Sequence, residues 1–418
     1  MADPQTIKKK IRERNVFNCN DISGFLDSIE IILPFTGYSK SKFMICEIDG
    51  VRFLVKLSFY RKDQPEIYGR HNPITIHQND AEINIMMILK ERFLLSNVTP
   101  CILNLIMHKK CNTLQLAAPD EVICTRIINR EYSYTQVEES VETAFCRHRD
   151  LFDNKLGYNE FCYLVLEQAD ITFSGYLKRY INTPINNAVF KSILFQVIYT
   201  IYQIKKLYPS FKHNDLHADN IMLKYDHEHR YQSSKPKFMI YVDHHNNTTY
   251  VVPFFGFIPK IIDYGFAQID EENQISDIVD NKIVMYNRID NDILYLLHDI
   301  YNLIDYSPEM ENMLSALDND KFYKTFDPEY IRKNYKTIPT YAKMLQSKIF
   351  DEYRIEVPAK ESIYHVYDGV PSMKAVSLVL PTIRTDTSSQ KLYTKAKGDD
   401  GGKVKGIGKG KGKLTNKK

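Results

Sequence analysis

Phe211–Leu223 reads FKHNDLHADNIML, and 43 residues beyond its Asn220 stands Asp263, in the stretch Ile261–Gln268, IIDYGFAQ. These two pieces decide the reading of the chain. The first carries His213, Asp215, His217 and Asn220. The second carries Asp263, with Tyr264 and Gly265 behind it and an apolar strand ahead. A loop carboxylate such as Asp215 can take the proton of an attacking hydroxyl. The Asn220 amide oxygen and the Asp263 carboxylate are hard donors, suited to a divalent cation that keeps water and phosphate oxygens. Gly265 allows the turn that aims Asp263. Taken singly, each residue has an ordinary reading: a loop Asp is mostly a turn or cap residue, and a lone His is mostly packed. The ordered set carries the information.

Upstream, Asn187–Leu207 places Phe190, Leu194, Val197, Ile198, Ile201 and Ile204 on one helical face. The earlier half is strand-like: Ser28–Phe35, Phe43–Glu47, Val51–Leu57 and Phe161–Leu166, with Asp49-Gly50 as a hairpin turn. A helix is expected over Asp80–Leu95, a strand over Cys101–Met107 and a further helix over Gln136–Arg149. Helical patterns dominate from Asp290 to Tyr353. Strands first and helices later, with a boundary near 170, predict an α+β, bilobed architecture: a β-rich N-lobe and a mainly α-helical C-lobe. The expected divisions are an N-terminal arm at 1–27 and an N-lobe at 28–169 with insertions at 58–79 and 109–159. A C-lobe follows at 170–390 with an insertion at 225–259, then a disordered Lys/Gly-rich tail at 391–418.

Composition narrows the class. With 44% hydrophobic and 26% charged residues among 418, the chain has enough apolar content for a core and is not mainly disordered. No apolar run is long enough for a membrane span, and the N-terminus lacks the apolar region of a secretory signal. Seven cysteines without a CxxC pair read as reduced thiols of a cytosolic-type compartment. The tail holds ten lysines and two aspartates, which suits nonspecific contact with a polyanion such as nucleic acid. Its GIGKGKGKLT lacks the Walker spacing and follows no strand. His227, His229, His244 and His245 lie in a polar stretch and read as solvated loop residues.

H-x-D-x-x-x-x-N followed by D-[FY]-G is the signature pair of protein kinases, and residues from about 28 to 350 resemble that fold. HNDLH, with an insertion before D-Y-G, resembles the divergent serine/threonine kinases ascribed to large eukaryotic DNA viruses. The resemblance implies ATP and Mg²⁺ as cofactors and Ser/Thr hydroxyls of proteins as acceptors. It also implies a host-cytoplasmic or virion location. By this likeness Asp215 is the catalytic base, flanked by His213, and Asn220 and Asp263 are the metal ligands. Lys56, in VRFLVKL, contacts the phosphates, and Glu82 pairs with it, Glu91 lying too near the helix end. A strand lysine at that place needs anionic company in any case. Gly37 and Ser39, in FTGYSKSKF, belong to a degenerate phosphate-covering loop. Leu166 abuts the adenine, and the backbone of Glu167 and Ala169 bonds to it.

Several residues depart from the pattern. Asn214 replaces the Arg that reads an activating phosphate. His217 stands where a Lys neutralises the γ-phosphate. Asp263 and Asp292, the latter aligned with the buried aspartate of a kinase helix, are only 29 residues apart, with no A-P-E between. H-x-D-x-H also occurs in small-molecule kinases of aminoglycoside and choline type, which is one alternative. A catalytically silent, kinase-fold binding scaffold is another, opposed by the retention of Lys56, Asp215, Asn220 and Asp263 together.

Overall fold

The fold comes from a computed structural model. It describes residues 4–14, 19, 30–35, 42–61, 66–69, 72–112, 157–180, 185–226, 236–269, 292–304, 307–324, 334 and 338–379. Gly37, Ser39, the Gln136–Arg149 helix, His227, His229 and the tail lie outside these residues.

Strands β1 (Glu30–Phe35), β2 (Lys42–Ile48), β3 (Val51–Arg61), β6 (Leu105–Asn112) and β7 (Gly157–Leu166) form one antiparallel sheet, in the order β1-β2-β3-β7-β6. Asp49 and Gly50 join β2 to β3 with φ of 49° and 76°. Positive φ at both positions suits a primed turn, whose twist matches the strands. Side chains then alternate. Phe53, Val55, Leu57 and Phe59 join Phe161, Tyr163 and Val165 in a core of their own. Leu54, Lys56 and Ser58 take the opposite face.

Helix α1 (Pro4–Glu13) adds Ile7 and Ile11, one turn apart and both buried, to that smaller core. Lys10 and Arg14 pair with Asp49 at 3.2 and 2.8 Å. The lysine-rich start is therefore a covering helix rather than a bare arm. Helix α2 (Gln78–Leu89) continues into a π-helical turn, Lys90–Leu94. From Asn79 to Leu89 only Met87 is not buried, as befits a helix packed on all sides.

The larger core gathers around α4 (Ile185–Leu207). Strands β8 (Ile171–Thr172), β9 (Ile221–Tyr225) and β12 (Phe257–Ile261) make a three-stranded sheet in the order β12-β9-β8. Helices α3 (Phe173–Tyr180), α5 (Asp292–Leu303), α6 (Pro308–Leu317) and α7 (Tyr341–Leu345) contribute buried residues to the larger core.

In the stretch 58–79, expected as an insertion, β3 runs on to Arg61, and β4 (Glu66–Gly69) and β5 (Asn72–His77) form a hairpin. Three expectations need correction. In Cys101–Met107, Ile102 makes an isolated bridge to Ile261 and the strand starts at Leu105, because the chain first touches β12. The stretch 225–259 contains β10 (Lys237–Asp243) and β11 (Thr248–Phe254), joined by β13 (Ile363–Tyr367) parallel to β10. Met239, Tyr241, Tyr250 and Val252 point from it into the larger core, so it is structural. Finally, Cys19 and Cys111 form a disulfide across 92 residues. Not all the thiols are reduced. Spacing could not have shown this, since the pairing depends on where the N-terminal chain meets β6. Cys46, Cys101 and Cys162 are buried and take no part in a disulfide. Among the described residues no helix is long and apolar enough to cross a membrane.

Candidate active site

Lys56 leaves the middle of β3 on the face turned toward α2. Its Nζ lies 2.6 Å from Glu82 Oε1 and 3.5 Å from Asp263 Oδ1. The three residues come from a strand, a helix and the turn after β12. Both Lys56 and Glu82 are 5% exposed. Burial alone would lower the Lys56 pKa, but the Glu82 and Asp263 carboxylates outweigh it, and the amine is held above its ordinary value. The Lys56 charge in turn holds the Asp263 carboxyl below its ordinary range. Asp263 has φ 59°, a left-handed conformation that Asp tolerates better than most residues. The 3₁₀ turn Tyr264–Phe266 follows. Gln78, at the start of α2, donates from Nε2 to the Gly265 carbonyl at 2.8 Å, tying helix to turn.

The loop 211–220 is fixed from beneath. Asp292, buried at the start of α5, accepts from the backbone N–H of His213 at 2.5 Å and of Asn214 at 2.8 Å. Asn214 has φ 63°, and its Nδ2 donates to Phe266 O at 2.8 Å. The His213 ring is wholly buried, with Nε2 2.9 Å from Ile262 O and the ring tilted 51° to that of Tyr264, centroids 5.2 Å apart. Ile262 N–H donates to Asn220 O at 3.0 Å, which brings Asn220 beside the Asp263 turn. Asn220 Nδ2 donates to Asp215 O at 2.8 Å and to Asp215 Oδ2 at 3.1 Å. That leaves Asn220 Oδ1 as its remaining acceptor. His217 Nε2 sits 3.7 Å from Asp215 Oδ2 and 3.0 Å from Asn220 Nδ2. Burial would lower the His217 pKa, yet the neighbouring Asp215 carboxylate raises it above 6.5. Asp215 and His217 stay partly open to solvent, with side chains 30% and 25% exposed.

Leu166 ends β7 opposite Leu54, buried on the same face as Lys56. The backbone beyond it is less available than expected. Glu167 N–H already donates to Asn104 O at 3.0 Å, leaving the Glu167 carbonyl and the backbone of buried Ala169. The Glu167 side chain accepts from Asn104 N–H at 2.7 Å and pairs with Lys224 at 2.6 Å and Lys260 at 2.9 Å. Gln78, Lys224, Lys260 and Asp299, which accepts from Ala218 N–H at 2.8 Å, escaped the sequence reading. Lys260 had a signal. It sits inside the apolar strand FIPKI, where a lysine needs an anion as much as Lys56 does. His244 and His245 occupy an exposed turn, away from this constellation.

Among the described residues no group of three or more His, Cys, Asp or Glu side chains could hold a metal by itself. Asn220 Oδ1 and the Asp263 carboxylate offer two oxygen donors. That number fits Mg²⁺, which is held by one or two protein ligands plus phosphate oxygens and water.

No protein-family model matches the chain. It is 25% identical over 297 residues to "Putative serine/threonine-protein kinase R301" of Acanthamoeba polyphaga mimivirus, covering 65% of this chain and 70% of that protein. A second protein of that virus, "Putative serine/threonine-protein kinase R400", is 31% identical over 93 residues, 22% of this chain and 18% of the relative. "Uncharacterized protein 098R" of Invertebrate iridescent virus 6 is 36% identical over 80 residues, 19% and 12% of the two chains. Among solved structures, "WaaP in complex with acyl carrier protein" aligns over 80% of this chain and 93% of that one, at 10% identity and a TM-score of 0.34. By its likeness to these viral proteins, the chain is kinase-like.

Proposed function

We propose that the chain transfers the γ-phosphoryl group of Mg²⁺-bound ATP to Ser/Thr hydroxyls of proteins. The observation that carries this reading is the Lys56 amine held between Glu82 and Asp263, residues 26 and 207 positions away in sequence. Phosphoryl transfer asks for positioning and charge neutralisation more than covalent chemistry. The Glu82 carboxylate orients the Lys56 charge toward the α- and β-phosphates. Asn220 and Asp263 would hold Mg²⁺, which supplies positive charge beside the β- and γ-phosphates. Asp215 accepts the hydroxyl proton as the acceptor oxygen bonds to the γ-phosphorus and the bond to the β-phosphate oxygen breaks. Asn220 orients Asp215, and His217 adds positive charge nearby when protonated. His213 is wholly buried, so its role is to position the 262–264 backbone and not to touch reactants.

Residues 28–169 and 170–390 are read as the two lobes, with the nucleotide base against Leu166 and the Glu167–Ala169 backbone. His217 beside Asp215 favours a second reading, a small-molecule acceptor. One assay decides: incubation with γ-labelled ATP, Mg²⁺, a mixed protein extract and a metabolite pool. Label on protein Ser/Thr supports the first reading, and label on a metabolite the second. Label on neither rejects both.

A further inference from the structure

Helix α2 carries Glu82, and the geometry of the Lys56 pair depends on how that helix is held. Residues two apart on an α-helix point about 200° from each other. Asn84 therefore leaves the side of α2 away from Lys56, and it is wholly buried. What it meets is the far end of the described chain. Asn84 Nδ2 donates to Val379 O at 3.2 Å, and Val379 N–H donates to Asn84 Oδ1 at 2.7 Å. One side-chain amide thus closes on both backbone groups of a residue 295 positions later.

This contact ends a run of others. After β13, the chain returns to the end of α2. Asn97 Nδ2 donates to Val366 O at 2.8 Å, and Gly369 N–H donates to Asn97 O at 3.1 Å. A Cβ on Gly369 would lie 1.6 Å from Ser96 O, so only glycine fits. Arg92 Nη1 donates to the carbonyls of Ser372 at 2.5 Å and Lys374 at 2.7 Å, and Ser372 N–H donates to Arg92 O. Val376, Leu378 and Val379 pack against the larger core.

We propose that Asn84 is a positioning residue for phosphoryl transfer, and that the strap 363–379 is the brace it uses. The strap holds α2 from behind while Glu82 engages Lys56 in front. Gln78 fixes the start of the helix to Gly265, and Arg92 fixes its end to the strap. The helix that presents Glu82 is thereby set by the chain's own C-terminal segment. The consequence for catalysis rests on the phosphotransferase reading, but the brace itself does not.

The test uses the full-length protein with Asn84→Ala, with Val379→Pro, which deletes the N–H that Asn84 accepts, and with both. Amide hydrogen exchange is followed in α2 and, as internal reference, in α4. The expected result for each single variant is exchange in α2 faster by about tenfold with α4 unchanged. The double variant should add little to Asn84→Ala, which already removes both hydrogen bonds, one of which Val379→Pro also removes. Turnover should fall by about tenfold in each, with Asn84→Asp, which keeps the acceptor for Val379 N–H, in between. Unchanged exchange in α2 would overturn the brace, and so would equal acceleration in α4, which reports general loosening. Altered exchange with wild-type turnover would overturn the positioning role. A wild-type protein that transfers no phosphate to anything would reject the phosphotransferase reading instead, leaving the exchange arm to decide the brace.

Discussion

Two ion triads in this molecule, each centred on a buried residue, are mirror images in charge. In one, a cation, Lys56, lies between the carboxylates of Glu82 and Asp263. In the other, a carboxylate, Glu167, lies between Lys224 and Lys260. Their surroundings differ. Glu167 is closed in by the Asn104 N–H, and Lys260 by the carbonyls of Pro100 at 2.7 Å and Ile102 at 3.4 Å. Asp263 keeps a side chain 35% exposed and a longer contact to its cation. Similar ion pairing thus serves a brace where backbone groups close in the carboxylate and offers a ligand site where a carboxylate stays open.

The largest expected effect breaks the open triad. Asp263→Asn keeps a residue at ease with left-handed φ, so charge is tested without backbone strain. It should slow transfer by about a thousandfold or more while the thermal midpoint stays near wild type. Steady-state turnover and a melting curve check it, and near-normal turnover would remove Asp263 from the proposed site. Next, Glu167→Gln leaves two lysines without their carboxylate. By the usual cost of unpairing a buried ion, stability should fall by about 3–5 kcal/mol in a denaturant titration. Transfer per folded molecule should change far less than in Asp263→Asn. If the two variants behave alike, the contrast between brace and site is wrong.

A smaller effect lies in acid. The two lysines outweigh the burial penalty and hold the Glu167 carboxyl down to about 2, against an ordinary 4.5. A depressed pKa adds stability that is fully present above the unfolded value and is lost as pH falls through the folded one. Wild-type protein should therefore lose stability between about pH 4.5 and pH 2, and Glu167→Gln should show a shallower slope there. Parallel slopes would contradict the pairing. The smallest effect concerns His217. Its pKa is raised by Asp215, so its cation persists somewhat above pH 6.5 and disappears as pH rises further. If that cation assists transfer, the rate should sag on the alkaline side. His217→Lys should flatten the sag and His217→Ala should remove it at a lower plateau. Superimposable pH–rate profiles would leave His217 with no charge role.

The site was more legible than the frame around it. Asp215, His217 and Asn220 lie within one short loop, and Asp263 is marked by its own glycine. Lys56 and Glu82 were readable because a strand lysine requires an anion and α2 offered one at the right distance along the chain. What stayed hidden was nonlocal or masked by composition. Ile7 and Ile11 are a one-turn apolar pair inside a lysine-rich segment. In β10 and β11 three consecutive residues are buried, Met239–Tyr241 and Tyr250–Val252, but the connecting His244 and His245 turn made the region read as polar loop. The pairing of β13 with β10, the Cys19–Cys111 bond and the grip of Asn84 on Val379 join residues 92 to 295 positions apart in the two covalent and side-chain cases. No local pattern encodes such partners. The bond from Glu167 N–H to Asn104 O was hidden for the same reason: Asn104 arrives from the segment before β6.

Helix α1 has a practical consequence for anyone shortening this protein. The motifs suggest cutting just before the first strand, near residue 28. That cut would strip Ile7 and Ile11 from the face formed by Phe53, Val55, Tyr163 and Val165, and delete the cations paired with Asp49. The sheet would then show water a bare apolar surface of the sort that drives self-association. A truncated preparation would be expected to precipitate or stick to itself with every catalytic group still in place, and its silence in an assay would say nothing about chemistry.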